Sequence, residues 1–109
     1  MTVLRGDIWW VSLDPTQGAE IQKTRPCLVL TSNVLNRFRQ TVVVVPFSTS
    51  ARSHPPISVA ATCQGKPAVV IIDQIRAVSR HRLKSKIETA SNATLRAITK
   101  AVEEILELR

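Results

Sequence analysis

Six side chains in this sequence are of types that act on phosphate esters, and all sit near the ends of strand-like segments. Arg25 immediately precedes Pro26 and an apolar run, so a guanidinium stands at a stiff edge with a long polar loop before it. Glu20 lies in that loop. Ser48 directly follows the valine-rich segment Thr41–Phe47, offering a hydroxyl where the chain leaves the core. Asp73, Gln74 and Arg76 follow Ala68–Ile72 in the same way. Brought to one rim, these residues supply two guanidiniums, two carboxylates, a hydroxyl and an amide. A guanidinium fork holds a phosphate in fixed geometry, and a hydroxyl donates to a non-bridging oxygen. Taken singly, Asp73 with Arg76 or Glu20 with Arg25 is equally readable as a structural ion pair.

Other chemistries lack their residues. Three glycines, at 6, 18 and 65, make no phosphate-cradling loop. His54 and His81 are far apart, with no Cys or His at ligand spacing, and two cysteines are too few for a disulfide framework or a zinc site. No metal and no cofactor is expected. Cys27 falls inside an apolar strand, where a small buried hydrophobe is the ordinary reading. Trp9 and Trp10 are adjacent and therefore point to opposite faces of one strand, with one of them in the core. With Phe38 and Phe47 they are the only aromatics, few for a platform of stacked bases.

The charge is uneven. Fifteen Lys and Arg against eight Asp and Glu leave +7, and residues 1–87 hold twelve of those bases but only four of the acids. The densest run, Arg76, Arg80, Arg82, Lys84 and Lys86, contains no acid. Such a body attracts polyanions, either nucleic acid or an acidic protein. The longest apolar stretch, Val42–Phe47, is six residues, far short of the ~20 that span a bilayer. Met1–Asp7 carries no apolar secretory segment, which points to the cytoplasm.

A chain of 109 residues makes one domain with a real core. Ile8–Leu13 reads as a strand, stopped by Asp14-Pro15-Thr16-Gln17-Gly18. Pro26–Thr31 is a second strand, and Ser32-Asn33 starts a helical turn through Phe38. Thr41–Phe47 is unbroken enough to be buried on both faces, with Pro46 placing a bulge or strand end. Ile57–Ala61 and Ala68–Asp73 form two strands around a turn at Gly65-Lys66-Pro67. Ile75–Val78 continues the second after a kink, Ser79 caps a short turn through Leu83, and a short final strand ends near Ile87. In the tail Leu95, Ile98, Val102, Ile105 and Leu106 recur at helical spacing behind an N-cap at Ser91 or Asn92. The class is mainly β with one C-terminal helix (α+β), a barrel or sheet over about 1–88 with a helix over about 92–108 packed on it.

Read in order, several blocks resemble the MazF/PemK family of toxin endoribonucleases: Arg5-Gly6-Asp7-Ile8-Trp9; Leu13-Asp14-Pro15 with Gly18 and Glu20; Thr24-Arg25-Pro26-Cys27-Leu28-Val29; Asn36-Arg37; Val43-Val44-Val45-Pro46-Phe47-Ser48; and Asp73-Gln74-Ile75-Arg76. Arg82-Leu83 and the closing helix also match, and the similarity covers nearly the whole chain. The resemblance implies an SH3-like barrel of the MazF/PemK/CcdB type working as a homodimer. It implies metal-independent cutting of single-stranded RNA, usually mRNA at a short sequence, to a 2′,3′-cyclic phosphate or 3′-phosphate and a 5′-hydroxyl. An acidic antitoxin of MazE type would cover the RNA groove.

By the same resemblance Arg25 matches the catalytic arginine, and Ser48 stands at the catalytic threonine, keeping the hydroxyl without the methyl. Where some members carry an arginine this chain has Ile71, so that role is absent or passes to Arg76; where some carry a histidine it has Ala19. Arg25 stabilises the phosphorane and Ser48 donates to a phosphoryl oxygen, while Glu20 or Asp73 accepts the 2′-proton. Thr16, Gln17, Lys23, Ser50, Arg52, His54 and Gln74 are the RNA-binding candidates, since sequence-specific RNA readers act on splayed, unpaired nucleotides. Apolar strand faces and a helix ending in Leu106 and Leu108 also favour a dimer. Two alternatives stand on the same fold: a CcdB-like poison that binds gyrase, and a member that binds RNA or antitoxin without cutting.

Overall fold

A computed structural model describes residues 1–14, 17–20 and 23–108. Its strands are β1 (Asp7–Ser12), β2 (Thr24–Val29), β3 (Thr41–Ser48), β4 (Ser58–Cys63), β5 (Lys66–Ile71), β6 (Arg76–Ser79) and β7 (Leu83–Thr89). Helices α1 (Asn33–Phe38) and α2 (Asn92–Leu106) complete it, with single 3-10 turns at Ile72–Gln74 and Arg80–Arg82. All pairings are antiparallel, in the order β4-β5-β3-β2-β1-β7, with β6 beside β3. Among the described residues no helix is long and apolar enough to cross a membrane.

Period-two alternation in β1–β3 feeds two cores. Trp9, Val11, Cys27, Val29, Val42 and Val44 face one, closed by Val78 of β6 and Leu83 of β7. Ile8, Leu28, Val45 and Phe47 face the other, roofed by Ala68 and Val70 of β5 and by Ile98 and Ala101 of α2. The two-sided burial expected of Thr41–Phe47 is what the strand shows. The adjacent tryptophans divide as alternation requires, Trp9 buried and Trp10 36% exposed. Ser91 caps α2, its hydroxyl accepting the Thr94 N–H at 3.1 Å, worth about 1 kcal/mol.

Several boundaries depart from the expected ones, each for a pairing reason. Pro46 neither bulges nor ends β3, which runs on through Ser48. Leu30 N–H donates to Val43 O on the β2 side, so by alternation the nitrogen of Pro46 faces the opposite edge. There β6 has ended its pairing at Val44 and β5 begins at Phe47, so no ladder donor is required. β6 continues β5 along β3, the 3-10 turn forming the kink. The β4–β5 turn falls on Gln64 and Gly65, both at positive φ (54° and 74°). Two such residues make the two-residue hairpin turn that matches strand twist, and Lys66 and Pro67 open β5. β7 is longer than expected because it pairs along β1 as far as Asp7–Thr89.

The first motif block is scaffold. Asp7, 1% exposed, accepts the Leu4 N–H at 2.9 Å and pairs with Lys86 at 3.3 Å. Arg5 donates to Leu30 O and to the Thr99 hydroxyl, fastening α2 to the sheet. Gly6 between them sits at φ 91°, a backbone setting that side chains resist. Buried Asn36 donates to Thr31 O at 2.8 Å and so holds α1 against the chain that enters it.

Candidate active site

The pairing of β1, β2 and β3 brings the expected site together. Arg25 lies inside β2, not ahead of it, across from Val11 of β1; Leu13 N–H donates to Lys23 O at 2.9 Å and extends that ladder. β2 and β3 pair as Val29–Val44, Leu28–Val45 and Cys27–Pro46. The ladder stops at Cys27–Pro46, where β3 passes to β5; extrapolated two residues, its register sets Arg25 and Ser48 at corresponding positions on the two strand ends. Alternation puts both on the face that carries Cys27 and Val44. Both are half-buried. Arg76 enters from β6 across from Val44, hence on the same face, and its guanidinium donates to Leu13 O at 3.4 Å. Its charge is felt at Cys27: burial pushes that thiol up to about 12, partly offset by Arg76. Two guanidiniums and a hydroxyl therefore share one face at one end of the sheet.

Ser48 is held in a turn. Its hydroxyl oxygen accepts the N–H groups of Ser50 (3.3 Å) and Ala51 (3.2 Å) and lies 3.3 Å from the Ser50 hydroxyl. The loop beyond is pinned: the Ser58 hydroxyl donates to Arg52 O and accepts the His54 N–H, both at 2.8 Å. The side chains of Ser50, Arg52 and His54 are exposed on it. Val69 of β5 pairs with Ser48, and Ile71 lies on the same face two residues along, half-buried. That face of the β4–β5 hairpin, with exposed Ala60, Thr62 and Pro67, is the one turned away from α2.

The acids stand apart. Glu20 closes its own loop, its carboxylate accepting the Gln17 N–H at 2.7 Å while its N–H donates to Gln17 O at 3.2 Å. Asp73 is exposed in the 3-10 turn, and Gln74 beside it is half-buried with a bonding partner. Lys23 is exposed at φ 71°, its N–H donating to the Asp14 carboxylate at 2.9 Å. Gln17 is exposed, and Thr16 lies outside the described residues. Among the described residues no three His, Cys, Asp or Glu side chains gather as metal ligands would.

The basic run looks different in three dimensions. Arg80 donates to the carbonyls of Asn36 and Met1, Arg82 to those of Ser12 and Asp14, and Lys86 to Asp7. These cations staple the chain while still contributing long-range field. Sequence reasoning missed a cleft of about 260 Å³, lined among others by Trp10, Arg25, Phe47, Thr49 and Lys66. Its signal was the outward tryptophan.

Comparison with known proteins gives the family and the fold. Residues 4–106 match a family described as PemK-like, MazF-like toxin of type II toxin–antitoxin system. Endoribonuclease PemK of Escherichia coli is 37% identical over 100 residues, covering 84% of this chain and 75% of that one. MazF from Deinococcus radiodurans superposes with a TM-score of 0.88 at 23% identity, covering 99% of both chains. A mycobacterial endoribonuclease, solved in complex with its cognate antitoxin, gives 0.81 at 25% identity over 98% of this chain and 97% of its own.

Proposed function

Since this chain belongs to the PemK-like, MazF-like toxins of type II toxin–antitoxin systems and is an endoribonuclease, we propose that it cuts single-stranded RNA without a metal, using Arg25 and Ser48. What supports this most directly is that the β2–β3 register ending at Cys27–Pro46, extended two residues along both strands, puts Arg25 and Ser48 on one face. The 2′-hydroxyl attacks the adjacent phosphorus in line, and the P–O5′ bond breaks. The products are a 2′,3′-cyclic phosphate and a 5′-hydroxyl. Negative charge accumulates on the phosphorane oxygens, and a guanidinium fork with a fixed O–H meets that charge without reorganising. Arg25, a guanidinium with donors and no acceptor, serves as electrostatic partner or as donor to the leaving oxygen, not as base. Asp73, exposed in the 3-10 turn between β5 and β6, is a better candidate for the 2′-proton than Glu20, whose carboxylate closes its own loop.

The working unit is a homodimer. Support comes from α1, which presents Val34 (68% exposed) and Phe38 (74%) on one hollow with Met1 and Leu4. Sedimentation at micromolar concentration should return twice the chain mass. An acidic antitoxin silences the enzyme, in keeping with the +7 charge and with the antitoxin complex of the mycobacterial relative. The decisive experiment maps 5′-hydroxyl ends on a mixed RNA pool incubated with wild-type or Arg25→Ala protein in EDTA. Wild-type cuts at a recurring sequence are expected, and none from the variant. RNA left intact by the wild type would end this reading.

A further inference from the structure

β2 and β3 part company at the candidate site: their pairing stops at Cys27–Pro46, after which β3 turns to β5 through Phe47 and Ser48. A cleft of about 260 Å³ lies there, between β1 and β2 on one side and the tip of the β4–β5 hairpin on the other. Trp10, paired with Pro26, lies on the Ile8 and Phe47 face of the sheet and forms one wall; its indole is more than one-third exposed. Thr24, Thr49 and Gln64 offer hydrogen-bonding groups there. Among the described residues its charged lining is Arg25 and Lys66, with Glu88 just outside, accepting the Gln64 N–H at 3.1 Å. Arg25, between the lining residues Thr24 and Pro26, borders the cleft at the strand edge while its own face is the one that carries Cys27 and Val44, so it stands where the cleft meets the phosphate-binding face.

We propose that this cleft takes one unpaired base of the RNA, stacked on Trp10, from the nucleotide next to the phosphate that Arg25 holds. The inference rests on the cleavage reading above. A flat ring against an indole is favourable for every base, the cationic lining suits a polyanion, and the threonines and Gln64 can read the base edge. With Arg25 at its rim, the cleft is within reach of a nucleotide neighbouring the phosphate that Arg25 holds. The cleft is therefore a specificity-determining site, and Trp10 a positioning residue.

The probe is a short RNA centred on the mapped cut, with a 2′-deoxyribose there so that it binds uncleaved, plus a series carrying one abasic site at each position. One abasic position should weaken wild-type binding roughly 5- to 100-fold. Trp10→Leu should weaken the intact RNA comparably and become indifferent to that position, while Trp10→Phe retains most of the affinity. Independent, multiplying losses would overturn the inference. So would a Trp10→Leu protein that binds RNA normally and loses only an acidic antitoxin peptide. Should Trp10→Leu not fold, 4-thiouridine at the sensitive position of the wild-type complex decides: crosslinks to the peptide bearing Trp10 or Lys66 support the cleft, and crosslinks only elsewhere refute it. A wild type that cleaves no RNA defeats the proposed function itself, a result distinct from either of these.

Discussion

The Ser48 hydroxyl oxygen accepts the backbone N–H of Ala51 at 3.2 Å, and that of Ser50 at 3.3 Å. With both lone pairs engaged, the proton is what this hydroxyl can give, to the Ser50 hydroxyl 3.3 Å away or, with RNA bound, to a phosphoryl oxygen. Ser48 is therefore a fixed donor, oriented by its own turn. Ser48→Ala should lower kcat by about 10²–10³ with a smaller change in KM. Ser48→Thr should retain the rate, since the added methyl restricts χ1 without removing the O–H. Single-turnover kinetics on the mapped RNA check both.

Arg25 should tolerate neither truncation nor conservative exchange. Arg25→Ala removes the charge that meets the phosphorane, and a loss of at least about 10²-fold in kcat is expected. Arg25→Lys restores charge but not the two-pronged fork, so it should recover only part of that loss. Arg76→Lys tests the neighbouring guanidinium. Its bond to Leu13 O makes it partly structural, so a drop in thermal midpoint should accompany any loss of rate.

The two carboxylates should separate cleanly. Glu20 has its side chain committed to the Gln17 N–H, whereas Asp73 stands exposed on the turn between β5 and β6. Asp73→Asn should slow cleavage by about 10²–10⁴ if it takes the 2′-proton. Glu20→Gln should leave kcat within a few-fold and act through loop order. A reversed ranking, read from pre-steady-state rates, moves the base to Glu20.

Alternation carried most of the fold into view. The valine run of β3, the split of Trp9 from Trp10 and the helical spacing from Leu95 to Leu106 each follow from one period and one core. Strand ends were less legible, because partners decide them: Pro46 is tolerated only where β3 exchanges β6 for β5, and Thr24 joins β2 only because β1 faces it. Arg25 and Ser48 were recognisable as strand-end residues, but their shared face depends on a register that a single strand does not encode. The same holds for the arginines after Gln74. As a string they form a phosphate-binding run, yet Arg80 and Arg82 spend their donors on carbonyls more than forty residues away.

Asp7 tests the division between scaffold and site. Its carboxylate is buried and accepts from Leu4 N–H while pairing with Lys86. Asp7→Ala leaves those donors unmatched and should cost about 2–4 kcal/mol of stability. Below its lowered melting temperature the variant should cleave at close to the normal rate. Denaturant titration alongside kinetics separates the two effects.

Cys27 supplies a pH test of the core. Burial raises its thiol from near 9 to about 12, with Arg76 pulling the other way. Between those values the unfolded chain loses the proton and the native chain keeps it, so the native state binds more protons and stability falls as pH rises. Below about 9 this group contributes no slope. Each unit above it should remove about 1.4 kcal/mol. Cys63 shifts the same way, through burial and then Glu88, from a more exposed position, and the chain has no tyrosine to titrate alongside. Urea unfolding of wild type and Cys27→Ala across this range isolates the buried thiol. The variant should start less stable by about 1 kcal/mol for the lost packing and then decline less steeply. Parallel slopes would mean that solvent reaches Cys27 in the native state, and hence that β2 and β3 open further toward Arg25 than their register implies.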